Sequence, residues 1–170
     1  MEAAHDLDYY VRMLDSLGDE TLRRYDREEA GRFDGGAYED EQGGGALTFS
    51  AMCRNDQAAI LRALDVNLPT RTKRPNLYAG TSYGLKHSAE RYLGFYVSNL
   101  ACKTAMRVLG FKRGGDDLNP SFNISKRERR AFDDLARDMA GRRSAARQRI
   151  ARREEQQKAA RYFHRLTGTA

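Results

Sequence analysis

The middle of the chain, residues 82–109, reads SYGLKHSAERYLGFYVSNLACKTAMRVL. Apolar residues recur in it at helical spacing on both sides of a short break at residues 94–97. Ser98 follows the break in the position of a helix N-cap, and Gly110 is placed to end the second helix. The stretch therefore predicts two helices joined by a four-residue turn.

The elements around this pair give the expected fold class. A helix is expected at residues 56–66, a short strand at Leu77-Tyr78, and a hairpin formed by residues 111–113 and 122–125. The order helix, strand, helix, turn, helix, strand, loop, strand is typical of a winged helix-turn-helix. The sequence thus predicts a mainly α (α+β) protein with a winged-helix-like core at residues 46–125, and a non-winged α+β core is the alternative.

Two segments flank this core. Residues 1–30 are acidic and amphipathic, with a break at Gly18, and predict a helical segment that could form a separate lobe. Residues 31–45 contain six glycines and predict a flexible linker. Residues 126–170 predict a basic C-terminal helix with little apolar surface to bury beyond Gly141.

Charge is distributed unevenly along the chain, whose net charge is +6. Residues 1–45 carry −8, residues 46–125 carry +6 and residues 126–170 carry +8. An acidic head and a basic body can attract each other or can serve different partners. The basic residues are mostly Arg, which binds phosphate bidentately and suits nucleic acid. A GC-rich genome that favours Arg codons explains the same bias.

The second predicted helix has Asn99, Lys103 and Arg107 on its outward face, where a helix in the major groove contacts bases and phosphates. Basic residues elsewhere are expected to contact the nucleic-acid backbone. They are Arg71, Lys73 and Arg74 in a loop, Lys112 and Arg113 at the foot of the hairpin, and Arg142, Arg143, Arg149 and Arg153 in the C-terminal helix. An ordinary solvated helix face is the alternative interpretation of these charges.

Tyr83, His87 and Glu90 lie at i, i+4 and i+7 and share one helix face. A His beside a carboxylate could act as a general base. The sequence, however, has no nucleophile elbow, phosphate-binding loop or zinc-type spacing nearby. We therefore expect a partner-binding role for these three residues, with no catalysis, no cofactor and no metal.

The cysteine count and the apolar segments indicate a compartment. Cys53 and Cys102 are far apart and lack a CxxC spacing, so reduced thiols are expected. The first residues are acidic, unlike a signal peptide, and no apolar run approaches the roughly 18 residues of a membrane span. These features predict a cytoplasmic protein without a membrane partner.

One stretch of the core is similar to known sequences. It comprises Thr81 to Arg91 and Gly94 to Asn99, together with Ala105-Met106, Gly110-Phe111 and Asn119 to Asn123. With these residues the chain resembles an uncharacterised family of small proteins from phages and mobile elements. The resemblance covers about residues 76–125 and implies a genomic setting in which many proteins regulate transcription and others block host defences.

Two functions follow as expectations. The first is a regulator-like protein that binds DNA or RNA through the helix-turn-helix and the basic C-terminal helix. The alternative is an anti-CRISPR-type inhibitor that binds a host nuclease, another defence protein or a ribonucleoprotein. A homodimer would suit a palindromic site, although no heptad pattern demonstrates one.

Overall fold

A computed structural model of the protein describes residues 5–30, 48–115 and 118–167, with side chains up to residue 158. These ranges form six α-helices, two short 3-10 helices and one two-stranded antiparallel sheet, so the predicted mainly α class is confirmed. The elements are α1 (Leu7–Leu17), α2 (Asp19–Ala30), α3 (Arg54–Asn67), α4 (Ser82–Leu93), α5 (Asn99–Val108), β1 (Arg113–Gly114), β2 (Ser121–Phe122) and α6 (Lys126–Thr167).

The core lies where α3, α4 and α5 pack against one another. Helix α1 covers α3, α2 covers α5, and α6 covers α4. Each helix contributes apolar side chains at helical spacing, which is why the amphipathic patterns placed the central helices well. The largest fully buried side chains are Tyr10, Phe49, Phe132, Leu14, Leu22, Ile60, Leu61, Leu64, Leu68, Leu85, Met106 and Ile124.

Local sequence signals set several helix ends. The Asp6 carboxylate accepts a hydrogen bond from the Tyr9 backbone N–H at 2.8 Å and caps α1. Gly18 has φ +76°, a left-handed value that favours glycine, and it separates α1 from α2. The Ser98 hydroxyl accepts from the Ala101 N–H at 2.9 Å. The predicted break at Gly18 and the predicted Ser98 cap are both confirmed.

The prediction of a separate N-terminal lobe is wrong for the residues described. Tyr10, Leu14 and Leu22 are fully buried in the common core. The Tyr10 hydroxyl donates to Asp65 on α3 at 2.9 Å, and burial together with this carboxylate raises the pKa of Tyr10. The predicted Gly-rich linker at residues 31–45 lies outside the described residues.

The predicted strand at Leu77-Tyr78 is also wrong, because these residues lie in a 3-10 helix, Leu77–Ala79. The Asn76 side chain accepts a hydrogen bond from the Tyr78 N–H at 3.1 Å, and this local bond favours a tight turn over an extended strand. The chain pairs with the sheet on either side of that turn, through single bridges from Arg71 to Ile124 and from Thr81 to Ser121.

The predicted basic C-terminal helix is present as α6, whose 42 residues span about 63 Å. Phe132 and Ala136, in its first half, are buried against the core, whereas every residue from 144 to 158 is exposed. Neither α6 nor any other helix in the described ranges is both long and apolar enough to cross a membrane.

Candidate nucleic-acid interface

The face of α5 that was expected to point outward is covered by α2. Lys103 is 4% exposed, and its ammonium donates to the Glu29 backbone carbonyl at 2.5 Å. Met106, three residues further along α5, is fully buried. The prediction of a solvent-facing recognition surface on α5 is therefore wrong, because the acidic N-terminal segment occupies that surface.

Two further cations of this region are paired with carboxylates of α2. Arg107 pairs with Glu28 and, at 3.2 Å, with Glu29, and its guanidinium lies 4.4 Å from the centroid of the Tyr25 ring. Arg113 reaches the other oxygen of Glu29 at 3.0 Å. The acidic head and the basic body thus attract each other, as one of the two expectations held. Neither Arg107 nor Arg113 is placed as a free phosphate contact.

A buried carboxylate holds the junction of α2 and α5 together. Asp26 accepts hydrogen bonds from the backbone N–H groups of Phe49 and Ser50, at 3.2 and 2.8 Å, and from the Thr104 hydroxyl at 2.7 Å. Because these bonds satisfy both carboxylate oxygens, a charge that would be costly to bury is stabilised. Its signal in the sequence is its position four residues after Leu22, on the same helix face, because a polar residue in line with an apolar stripe faces the core.

Asn99, the expected base-reading residue, has a structural contact instead. Its side-chain amide donates to the Leu118 carbonyl at 3.0 Å and to the Asn119 side-chain oxygen at 3.1 Å. These bonds attach the start of α5 to the segment that precedes β2. The sequence predicted Asn99 on the outward face of this helix, whereas the structure gives its side-chain amide partners within the protein.

The cations of the basic loop, residues 71–74, have two kinds of surroundings: one has contacts within the protein, and the others are exposed. Arg71 lies over the Phe111 ring at 4.3 Å and donates to the Leu109 carbonyl at 2.7 Å. Lys73, Arg74 and Lys112 are exposed. The Thr70 N–H donates to Glu128 at 3.1 Å, which places this loop beside the start of α6. Further exposed cations there, not singled out from the sequence, are Lys126, Arg127 and Arg130.

Arg142 and Arg143 have different roles, although they are adjacent. Arg142 is exposed and pairs with Asp138 at 2.9 Å within α6. Arg143 donates to the carbonyls of Tyr92, at 2.9 Å, and Arg91. Backbone carbonyls at a helix C-terminus lack partners within the helix, so Arg143 caps α4 and fastens α6 to it. Its expected phosphate contact is thereby replaced by a structural one.

A buried cation makes a second connection between α4 and α6. The Arg129 guanidinium pairs with Asp133 and donates to the Ser88 hydroxyl at 3.1 Å. Burial lowers the pKa of Arg129, and burial also raises the pKa of the nearby Cys102 thiol to about 12. These contacts fix the first half of α6 in place, so the second half projects from a firmly held base.

The projecting residues 144–158, which we call the arm, form an exposed basic segment. Its cations are Arg147, Arg149, Arg152, Arg153 and Lys158, against two carboxylates, Glu154 and Glu155. All of these side chains are exposed, and no ion pair is found among the residues described in this segment. Arg149 and Arg153 share one side of α6 with Arg142, at spacings of seven and four residues.

The expected partner-binding residues do come together on α4. The Tyr83 and His87 rings pack edge to face, with their centroids 4.6 Å apart. The His87 Nδ1 lies 2.9 Å from a carboxylate oxygen of Glu90. Glu90 also pairs with Lys86 at 3.2 Å and accepts from the Val97 N–H at 3.2 Å, so its charge is locally balanced. None of the described residues forms a group of three or more metal-binding side chains.

Next to this cluster an open groove of about 500 Å³ runs between the end of α4 and α6. Its walls include the exposed residues Arg91, Tyr96 and Arg147. Arg147 belongs to both the groove and the arm, so the two surfaces are continuous. The expected site residues therefore do not form one surface. Those of α5 are bonded to other parts of the protein, the basic loop lies at the start of α6, and the arm begins near the middle of α6.

Comparison with known protein families, with curated proteins and with solved structures found no match to this chain. Its function is therefore inferred from the positions and contacts of its own residues.

Proposed function

We propose that the protein is a cytoplasmic nucleic-acid-binding protein that contacts phosphates through the arm. The observation that carries the proposal is a run of exposed cations on one rigid helix, without carboxylate partners in the described part of the arm. Cations already paired inside a protein gain little from a phosphate, whereas solvated guanidinium groups can exchange water and counterions for it. Binding by the arm is therefore expected to be strong at low salt and weak at high salt.

In this proposal the core is a winged-helix-like scaffold that carries α6. Support comes from the element order and from the backbone bridges of Arg71 and Thr81, which put the segment after α3 on the other side of β2 from β1. That arrangement is the one expected of a three-stranded wing region. Since α2 covers α5, the proposal assigns the phosphate contacts to α6 and no groove contact to α5.

The direct test is binding of a labelled oligonucleotide, measured by fluorescence anisotropy at several salt concentrations between roughly 50 and 200 mM. The test variant combines Arg149→Gln, Arg152→Gln and Arg153→Gln, since Gln keeps a high helix propensity. Three lost phosphate contacts lower the affinity about 100-fold near 0.1 M salt and reduce the slope of log K against log salt by about 2 to 3.

A matched control removes the same charge from another exposed helix. Arg23, Arg24 and Arg27 on α2 are exposed and pair with Glu20 or Glu28. Their replacement by Gln changes the net charge by the same three units, and we expect the affinity to stay within about 2-fold of the wild type. Equal losses in the two triple variants would contradict a site on the arm and would leave only a general effect of net charge.

A second candidate function is the binding of a protein partner, as in the anti-defence alternative. The observation that favours it is the exposed apolar pair Leu77 and Tyr78, which are 70% and 85% exposed beside the basic loop. Exposed apolar residues that lie together are typical of protein interfaces. A stoichiometric partner captured from nuclease-treated lysate, and lost in Leu77→Ser with Tyr78→Ser, would support this function over the first.

A further inference from the structure

We infer that the protein binds single-stranded nucleic acid, with bases stacked on Tyr83 and Tyr96 and phosphates held by Arg91 and Arg147. The inference rests on the proposed function and names the class of nucleic acid. It goes beyond that function by assigning a second set of contacts, the aromatic rings of Tyr83 on α4 and of Tyr96 in the turn between α4 and α5.

The two rings form a prepared surface. Tyr83 and Tyr96 are 53% and 52% exposed. The Lys86 ammonium lies 5.5 Å from the Tyr83 centroid and 4.9 Å from the Tyr96 centroid, so one cation contacts both rings. Lys86 itself is buried and paired with Glu90. The cation therefore orders both rings from the protein side, which lowers the entropy lost when a base stacks on them.

Cations for the phosphates lie beside the Tyr96 ring. Arg91 and Arg147 are exposed in the groove that Tyr96 also lines, and no ion pair involves either of them in the described part of the chain. Glu90 is the carboxylate in the same groove, and its charge is offset by Lys86. Aromatic faces flanked by cations are the usual composition of surfaces that bind single strands, because every base has a face that can stack.

The covered state of α5 favours a single strand over a duplex. A winged-helix-like protein reads a duplex by placing this helix in the major groove, and here Lys103 and Arg107 are occupied by α2. In a duplex the bases stack on one another and do not offer their faces to a protein. Exposed rings therefore contribute only when the bases are unpaired.

The chain contains no Trp, which provides a clean optical test. Tyr96→Trp introduces a single Trp at the inferred stacking position. Titration with a thymine homopolymer of about 20 nucleotides is expected to quench its emission to saturation, and a duplex of the same length is expected to change it little. A second variant, Leu7→Trp, places the Trp at an exposed position on the acidic helix α1 and serves as the control. Equal quenching at both positions, or none at position 96, would overturn the inference.

Affinities of side-chain variants provide a second, independent measurement. Tyr83→Ala with Tyr96→Ala is expected to lower the affinity for the homopolymer at least about 30-fold, because stacking contributes on the order of 1–3 kcal/mol per base. Tyr83→Phe with Tyr96→Phe keeps both rings and is expected to bind within about 2-fold of the wild type. A loss as large in the Phe variant as in the Ala variant would contradict stacking.

Failure of this inference is distinguishable from failure of the proposed function. Suppose that the arm variant loses salt-dependent binding, while the Tyr variants keep their affinity and the Trp emission is not quenched. The arm then binds nucleic acid and the rings do not. If no oligonucleotide binds at low salt, both proposals are wrong. Quenching at position 96 that requires single strands, with an arm-dependent salt slope, supports both.

Discussion

Helices α5 and α6 are both basic, yet their cations stand in opposite situations. On α5, Lys103 is buried and Arg107 is held by two carboxylates of α2. On α6, the cations of the arm are exposed and unpaired in the part that the structure describes. A basic residue contributes to binding a polyanion only when its charge is not already neutralised. We therefore expect the arm to bind nucleic acid and α5 not to, although both helices carry a net positive charge.

The comparison also separates stability from binding. Charges on α5 are part of the interface that fixes the N-terminal helices, and their removal leaves buried partners unsatisfied. Charges on the arm contact water and can be removed without disturbing the core. Variants of α5 should therefore lose stability and keep affinity, and variants of the arm should do the reverse.

The largest expected effect is in thiol reactivity. Cys102 on α5 is fully buried, whereas Ala151 on the arm is exposed. In a Cys53→Ser background, Cys102 is expected to react with a thiol reagent about 1000-fold or more slowly than a cysteine introduced by Ala151→Cys, because only an opening of the core costing about 4 kcal/mol exposes it. Comparable rates would mean that α5 is open to solvent.

The same thiol predicts the direction of an alkaline pH effect. Burial raises the pKa of Cys102 from 9.0 to about 12. Its contribution to stability is complete below pH 9, where the thiol is neutral in both the folded and the unfolded states. Between pH 9 and pH 12 only the unfolded thiol ionises, so the free energy of unfolding falls as the pH rises. Cys102→Ala should flatten the fall measured by urea denaturation at each pH.

Asp26→Ala is expected to be the most destabilising single substitution at the junction of α2 and α5. It removes the acceptor for the N–H groups of Phe49 and Ser50 and for the Thr104 hydroxyl, at a cost of about 3 kcal/mol. Urea denaturation measures the change. Asp138→Ala, which removes an exposed carboxylate, is the control and should cost less than about 0.5 kcal/mol. Similar costs for the two would refute the structural role of Asp26.

Lys103→Met keeps the length of the side chain and removes its charge. We expect a loss of about 1–2 kcal/mol in the free energy of unfolding, because the Glu29 carbonyl loses its donor. Oligonucleotide affinity, measured by anisotropy, is expected to stay within about 2-fold of the wild type. A 10-fold loss of affinity in a variant of unchanged stability would show that Lys103 contacts nucleic acid after all.

The smallest expected effect is on the stability of the arm variant. Arg149→Gln with Arg152→Gln and Arg153→Gln should change the free energy of unfolding by less than about 0.5 kcal/mol, since these side chains are exposed. Urea denaturation is again the measurement. A loss above about 1 kcal/mol would indicate that the arm packs against the rest of the chain.

Local signals in the sequence predicted the central helices and their ends. The stripe that includes Leu85 and Ala89, the Ser98 cap and the break at Gly18 all depend on residues close together in the chain. The sequence did not predict the 3-10 helix at Leu77–Ala79, because this turn is favoured by one hydrogen bond that the Asn76 side chain accepts from the Tyr78 N–H. Strand propensity does not report such a bond.

The candidate site was harder to predict because it depends on contacts between distant segments. Lys103 and Glu29 are 74 residues apart, and nothing at either position alone says that they meet. The arm was visible as a basic helix with little to bury, whereas the exposure of Tyr96 depends on how α6 passes the turn. The opposite net charges of residues 1–45 and 46–125 were the one available signal, and they allowed pairing without locating it.

Helix α6 runs without interruption from its anchored half into the arm. The angular phase of each arm side chain is therefore set by the core, at about 100° of rotation per residue. One residue inserted after Gly141 would turn Arg147 and Ile150 by that angle about the helix axis, while a seven-residue insertion would restore the phase to within about 20°. The number of residues between Arg143 and the arm therefore determines which way the arm's cations face relative to the core.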